Sequence, residues 1–310
     1  MKAVQITTYG GPDILQVNTI EKPSIQDNQV LVEIKAAGLN PIDVKLTAGF
    51  LKQMIPLQFP ATVGGDFAGV VLEVGSDVHT FAKGDEVYGQ AAVYNGGSGA
   101  FAEIATAQAE KIAKKPQTIS FEQAAALPVV GASAVQALEE HFKLQKGQKI
   151  LIHGGAGGIG HIAIQIAKHL GAYVATTVST KNIAFVKQLG ADEVIDYTNH
   201  QFDEILKDFD AVYDTVGGET TNKSFTVLKK GGILVSMLGE PNQELSKQYA
   251  VIGIGQRTNT NTTHLNRLAE FVDQKIVTVH IDSVFPLEKA KEAFEKQNTN
   301  PQGKIILQIK

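Results

Sequence analysis

The run Gly155-Ala156-Gly157-Gly158-Ile159-Gly160 constrains this chain more than any other feature. It follows Lys149-Ile150-Leu151-Ile152-His153, which reads as a buried strand. It opens a segment in which Ile159, Ala163, Ile166 and Leu170, by their spacing of three and four, lie on one helix face. Between a strand and a helix, the glycines of a G-x-G-x-x-G pattern have separate jobs. They allow a tight turn, let backbone approach a pyrophosphate with no Cβ in the way, and bring the helix close to the strand. The helix N-terminus then faces the anion. Gly155, Ala156, Gly157, Gly158, Ile159 and Gly160 are therefore candidate dinucleotide contacts; the alternative is a glycine-rich turn that holds nothing.

Further strands are predicted at Tyr173–Val178, 193–195, 211–214 and 233–236, with helical segments near 182–189 and 220–228. Such alternation predicts an α/β architecture with a parallel, doubly wound sheet. Upstream, residues 30–34, 68–74 and 86–88 are β-rich runs separated by Gly, Asp and Pro, which predict a mainly antiparallel β domain. After about Thr258 a helix carrying Leu265, Leu268, Ala269 and Val272 leads to predicted strands at 277–281 and 304–307, with a helix near 287–297 between them. A chain of 310 residues exceeds what one core usually serves. The expectation is a catalytic domain of residues 1–122 plus 259–310, interrupted by a nucleotide domain at 123–258, with the active site in the cleft between them.

Composition removes several classes. A net charge of −4 with acids and bases interspersed offers no footprint for nucleic acid. No apolar leader and no run of eighteen apolar residues is found, so neither secretion nor a membrane span is expected, and a cytoplasmic location is. The chain has no cysteine, which removes disulfides, thiolate catalysis and every zinc site built on sulfur. The eight histidines are scattered without a ligand pair at helical spacing, and read as core-edge or surface residues with no metal.

A dinucleotide site that prefers NAD usually has an acid near the end of its second strand. Here that strand runs into Ser179-Thr180-Lys181, two hydroxyls and a cation able to receive a 2′-phosphate, so NADPH is the expected cofactor. Lys181 otherwise simply begins the next helix in water. Thr215, Val216 and Gly217, and Ser236, Leu238 and Gly239, follow the fourth and fifth strands, at the carboxyl ends where ligands bind in such sheets.

Ala37-Gly38-Leu39-Asn40-Pro41-Ile42-Asp43, Gly64-Gly65-Asp66-Phe67-Ala68-Gly69, Leu127-Pro128-Val129-Val130-Gly131-Ala132-Ser133-Ala134, the glycine loop and Pro301-Gln302-Gly303-Lys304 span essentially the whole chain. Together they resemble the zinc-independent quinone oxidoreductase branch of the medium-chain dehydrogenase/reductase superfamily. The resemblance implies a GroES-like catalytic domain, NADPH, and a small-molecule quinone or enone acceptor. Zinc-bearing members carry Cys at or beside the position of Leu39, and Gly-His-Glu where this chain has Gly64-Gly65-Asp66. Without a metal to stabilise an alkoxide, alcohol oxidation gives way to reduction of a conjugated carbonyl, which spreads the incoming negative charge onto oxygen.

By the same resemblance Asn40 lies beside the nicotinamide, and its amide donates to the acceptor oxygen or holds the ring. Asp43 and Lys45 either order that site or form a structural pair. Tyr88, Gln90 and Tyr94 either line the acceptor pocket, Tyr94 as a hydroxyl donor, or pack. Ser133 either bonds the cofactor or serves as an N-cap, and Tyr197 approaches the 2′-phosphate. Lys304 either reaches the cofactor or stands in solvent. A homodimer is expected, paired through the last strand of the nucleotide sheet at 232–238. The readings to separate are a quinone reductase, an alkenal or enone double-bond reductase, and a non-catalytic NADPH-binding sensor or structural protein.

Overall fold

The computed structural model describes residues 1–309. In chain order the first part comprises β1 (Lys2–Ile6), β2 (Gln16–Thr19), β3 (Gln29–Leu39), α1 (Pro41–Thr47), β4 (Ala61–Thr62), β5 (Asp66–Val74), β6 (Glu86–Gln90), β7 (Ile104–Gln108), β8 (Ile112–Lys114), α2 (Phe121–Ala125) and α3 (Pro128–Val135). There follow β9 (Lys149–His153), α4 (Gly158–His169), β10 (Tyr173–Val178), α5 (Ile183–Gln188), β11 (Glu193–Asp196), α6 (Phe202–Ile205), β12 (Phe209–Asp214), α7 (Glu219–Ser224), β13 (Leu228–Ser236), α8 (Gln243–Tyr249) and β14 (Ile252–Gly255). The last elements are α9 (Thr262–Asp273), β15 (Ile281–Pro286), α10 (Ala290–Gln297) and β16 (Lys304–Gln308). The backbone forms two units, one of Met1–Ala132, Thr260–Asp273 and the chain from Val279 on, the other of Ser133–Asn259 and Gln274–Thr278.

In the first unit β3 is buried along nearly its whole length because it is paired on both sides. Its sheet runs β15-β16-β3-β5-β6-β8, with β7 also on β3, and only β15 and β16 run parallel. Val30, Val32 and Ile34 meet Phe67 and Val71 of β5 in one core, which Phe101 and, from α10, Phe294 complete edge to face at 6.1 Å. A smaller sheet, β2-β1-β4, carries the chain start. The strand expected at 277–281 begins only at Ile281. Thr278 gives its N–H and hydroxyl to Gln165 Oε1 (2.9 and 3.0 Å), and its carbonyl accepts from Gln165 Nε2 (2.9 Å), so one side chain takes the backbone groups a ladder would use.

The second unit is a six-stranded parallel sheet in the order β11-β10-β9-β12-β13-β14, the doubly wound α/β arrangement expected from strand-helix alternation. Leu151, Val212, Leu234, Phe202 and Phe225 form its core. One expectation is corrected. The segment 232–238 is not an edge, since β13 is paired with β12 on one side and β14 on the other. Ile252-Gly253-Ile254-Gly255 escapes notice in the sequence because alternate glycines give it weak strand propensity. Among the described residues no helix is long and apolar enough to cross a membrane.

Candidate functional site

The glycine run leaves β9 where neighbouring strands diverge to β10 on one side and β12 on the other, the reversal point at which sheets of this kind bind ligands. Gly154, outside the pattern read from sequence, makes the turn with φ at 70°, a left-handed conformation. A Cβ on Gly155 would fall 2.1 Å from Thr176 Oγ1, and one on Gly160 would fall 2.3 Å from Gly154 O, so these two glycines lock α4 against the strands. On Gly157 a Cβ would meet only Gly154 O, at 3.3 Å. Gly157 is the N-cap of the twelve-residue α4, which has no side-chain cap, and Gly158 and Ile159 begin the helix behind the buried Ala156. Bare N–H groups beside an open glycine fit a pyrophosphate.

Below the loop, His153 is fully buried, against the expectation of core-edge or surface histidines, and His161 is buried too. Both ring nitrogens of His153 find hydroxyls, Nδ1 with Thr177 and Nε2 with Ser224, each at 3.0 Å. The Ser224 hydroxyl donates to Thr220 O (2.6 Å), so it accepts from His153 Nε2–H. Burial holds the His153 pKa down to about 4, against the opposing charge of Asp214.

After β10, Lys181 is exposed and Tyr197 is 61% exposed, whereas the Thr180 hydroxyl donates to Asp196 at 2.6 Å. Ser179 accepts from Asn182 Nδ2 (3.3 Å). Asp196, aligned with Val178, brings beside β10 the carboxylate that β10 itself lacks. Hydrogen bonds from Thr180 and Thr198 in particular hold it well below the usual carboxylate range, at about 2. A second unanticipated acid, Asp214, is fully buried; its Oδ1 accepts the N–H groups of Val216 (2.9 Å) and Gly217 (3.0 Å), and its Oδ2 the Thr221 hydroxyl (2.5 Å). Ser236 is buried and committed to Asp214 and Leu238 N, leaving Val216, Leu238 and Gly239 at the strand ends, the first two exposed. Ser133 is no N-cap. It lies inside α3 with its hydroxyl 2.6 Å from that of Thr258, and its carbonyl accepts from Tyr213 and Gln256.

The first unit holds a buried polar cluster. Asp43 Oδ2 accepts the N–H of Asn40 at 2.8 Å, at the start of α1. Asn40 Nδ2 donates to Asp66 Oδ2 (2.9 Å), while Asn40 Oδ1 accepts from Lys304 Nζ, which also donates to Leu39 O (2.9 Å). Asp66, 0% exposed, takes further bonds from Val129 N–H and Gln90 Nε2, each 3.1 Å. Lys304 is thus not solvated: it is buried in the first unit, because β16 pairs with the end of β3 and carries it under Leu39. Burial lowers its pKa, opposed by Asp66 and Asp43, and burial raises that of Asp66, opposed mainly by Lys304. Tyr88 is fully buried and donates to Leu265 O at 2.6 Å. Lys45 is exposed. Tyr94 lines a small cavity of about 20 Å³ with Asp43, Thr47, Leu57, Thr62 and Val93.

Burial also raises Asp43, to about 7, opposed by the Asn40 N–H. In the unfolded chain an aspartate titrates near ~3.9. Between those values the folded state holds the proton, so this group makes stability fall as pH rises through that window. Asp43→Asn keeps an oxygen for the Asn40 N–H. Urea titrations across the window should show a slope shallower than that of the wild type by up to ~1.4 kcal/mol per pH unit; an unchanged slope would place the titration elsewhere.

Leu39 and Gly65 supply no metal donor, Asp66 has its oxygens occupied by N–H groups, and among the described residues no group of three His, Cys, Asp or Glu stands in a metal-holding arrangement. A family model for the alcohol dehydrogenase GroES-like domain matches residues 26–117, and one for zinc-binding dehydrogenases matches 189–307. The chain is 38% identical over 321 residues to a 2-methylene-furan-3-one reductase of Solanum lycopersicum, covering 99% of this chain and 79% of that one. It superposes on the quinone oxidoreductase of Coxiella burnetii with a TM-score of 0.92 at 36% identity, over 100% of this chain and 99% of that one. The quinone oxidoreductase of Escherichia coli complexed with NADPH gives 0.89 at 28% identity, over 100% of both.

Proposed function

Since the chain belongs to the zinc-independent quinone oxidoreductase branch of the medium-chain dehydrogenase/reductase superfamily, we propose that it reduces quinones by hydride transfer from NADPH. The observation that carries this reading is the uncapped, glycine-lined start of α4 at the strand-order reversal, in a chain so similar to an NADPH-bound quinone oxidoreductase. When bound, NADPH supplies the hydride.

The chain's own residues bind, orient and support. Gly155 through Gly160 receive the pyrophosphate, and Lys181 and Tyr197 take the 2′-phosphate end. Val216, Leu238 and Gly239 flank the cofactor from neighbouring strand ends, while Ser133, Ser179, Thr180 and Ser236 shape the site through the partners they already hold. At the acceptor end Lys304 holds the Asn40 carbonyl oxygen and Asp66 one of its amide hydrogens, so the amide cannot flip, and its second hydrogen is the donor for the acceptor oxygen. Asp43 and Tyr94 complete that end, and Lys304 acts by positioning rather than by touching the cofactor.

A second reading, reduction of an enone double bond, draws support from the furanone reductase that the chain resembles. The deciding assay compares kcat/KM for a 1,4-quinone and a 2-alkenal of similar size, followed by NADPH consumption. A quinone value at least ~10-fold higher is expected, since this ratio measures differential transition-state binding; a higher alkenal value, or no NADPH consumption with either, overturns the proposal. We also read the protein as a cytoplasmic homodimer, paired through the free edge of β14 in place of 232–238.

A further inference from the structure

Thr47 is 2% exposed, and its hydroxyl finds no hydrogen-bond partner in the chain. Buried hydroxyls are nearly always satisfied, and an orphan is commonly the mark of an ordered water. Thr47 lines the cavity of about 20 Å³ that Asp43 and Tyr94 also line. A water needs ~10–15 Å³ and polar partners. The cavity offers the space; among its lining residues Thr47, Asp43 and Tyr94 carry polar side chains, and Leu46, Leu57 and Val93 are apolar. Asp43 commits Oδ2 to the Asn40 N–H, and its Oδ1 lies on the side of Gly65.

We propose that Thr47 positions a water through which Asp43 resupplies the proton that Tyr94 gives to the reduced acceptor. The proposal rests on the quinone-reductase reading and assigns the source of the proton. Reduction consumes one quinone, one NADPH and one proton, and yields hydroquinone and NADP⁺. As the hydride arrives, negative charge collects on the acceptor oxygen. The Tyr94 O–H bond breaks and a new O–H bond forms on that oxygen. The water passes a proton to the phenolate and takes one from the Asp43 carboxyl, which bulk solvent then reprotonates. Tyr94 and Asp43 are the catalytic pair in this scheme; Thr47 is a positioning residue.

The charges around Asp43 suit the task. Asp66 on β5 disfavours its ionisation and Lys304 on β16 favours it, while Tyr94 faces it from the turn at Val93–Asn95. Burial leaves the Asp43 carboxyl titrating at about 7, where it both gives and regains a proton readily. Burial, with Asp43 and Asp66 nearby, pushes the Tyr94 hydroxyl above the usual phenol range, so it stays protonated until charge develops on the acceptor.

The test uses the full-length wild type and the variants Thr47→Val, Thr47→Ser and Asp43→Asn with NADPH and 1,4-benzoquinone. It reads kcat from about pH 5 to about pH 9, the solvent isotope effect, NADPH affinity by titration, and urea stability. Wild-type kcat should fall as pH rises past about 7, and Asp43→Asn should lack that limb. Thr47→Val, nearly isosteric, should fold at least as stably as the wild type and bind NADPH equally. Its kcat should drop on the order of tenfold with a larger solvent isotope effect, and Thr47→Ser should restore both. A Thr47→Val enzyme with wild-type kcat and pH profile overturns the relay while leaving the quinone reading intact. A wild type that consumes no NADPH with the quinone overturns both.

Discussion

Replacing Lys304 with Met should remove about 3–5 kcal/mol of folding stability, the usual loss when one partner of a buried charge cluster is deleted. The ammonium donates to Leu39 O and Asn40 Oδ1 and offsets the field of Asp66 and Asp43, all inside the first unit. Methionine fills similar space but leaves the carboxylates without a cation, and takes from Asn40 Oδ1 its buried donor. The loss should be smaller in acid, because protonation of Asp66 and Asp43 removes the uncompensated charge. Adding Asp66→Asn should recover a large part of it at neutral pH. Urea denaturation of the single and double variants on the acid and alkaline sides of neutrality measures this. A loss below ~1 kcal/mol, or one that pH does not change, would mean that Lys304 does not neutralise the cluster.

Gly160→Ala should abolish tight NADPH binding, with Kd rising at least ~100-fold, or ~2.7 kcal/mol. The added carbon would sit 2.3 Å from Gly154 O and 2.7 Å from Gly155 Cα, both backbone, so the whole loop must shift. Gly157→Ala should have a different profile. Its new carbon meets only Gly154 O at 3.3 Å, so the fold tolerates it, yet it projects from the cap residue of α4 where the phosphates must approach. A Kd increase of ~10-fold with little change in urea stability is expected there. Fluorescence titration with NADPH distinguishes the two variants; unchanged affinity in Gly160→Ala would separate the glycine run from cofactor binding.

The strand, the glycine turn and the α4 face were legible because each depends on neighbours in the chain: apolar spacing, left-handed turns, and the room that only glycine leaves. Strand β10 was read with its observed limits, Tyr173–Val178. β14 was not legible, as two of its residues are glycine and its partner is already half paired. The carboxylate-free end of β10 was read correctly from the strand itself, but Asp196 arrives beside it from β11. Asp66 was visible only as a departure from a metal-ligand motif, and Thr47 had no signal at all.

The parallel sheet unit, the place of its glycine loop and, through the absence of cysteine, the exclusion of thiolate chemistry could all be read along the chain. These follow from local sterics and from which side chains exist. It took the folded chain to bring Lys304 to Asn40 from 264 positions away, to hold the Asn40 amide from both ends, and to push Asp43 up to about 7. Charge burial depends on which groups converge once water is excluded, and residues brought together by strand pairing leave no periodic trace along the chain.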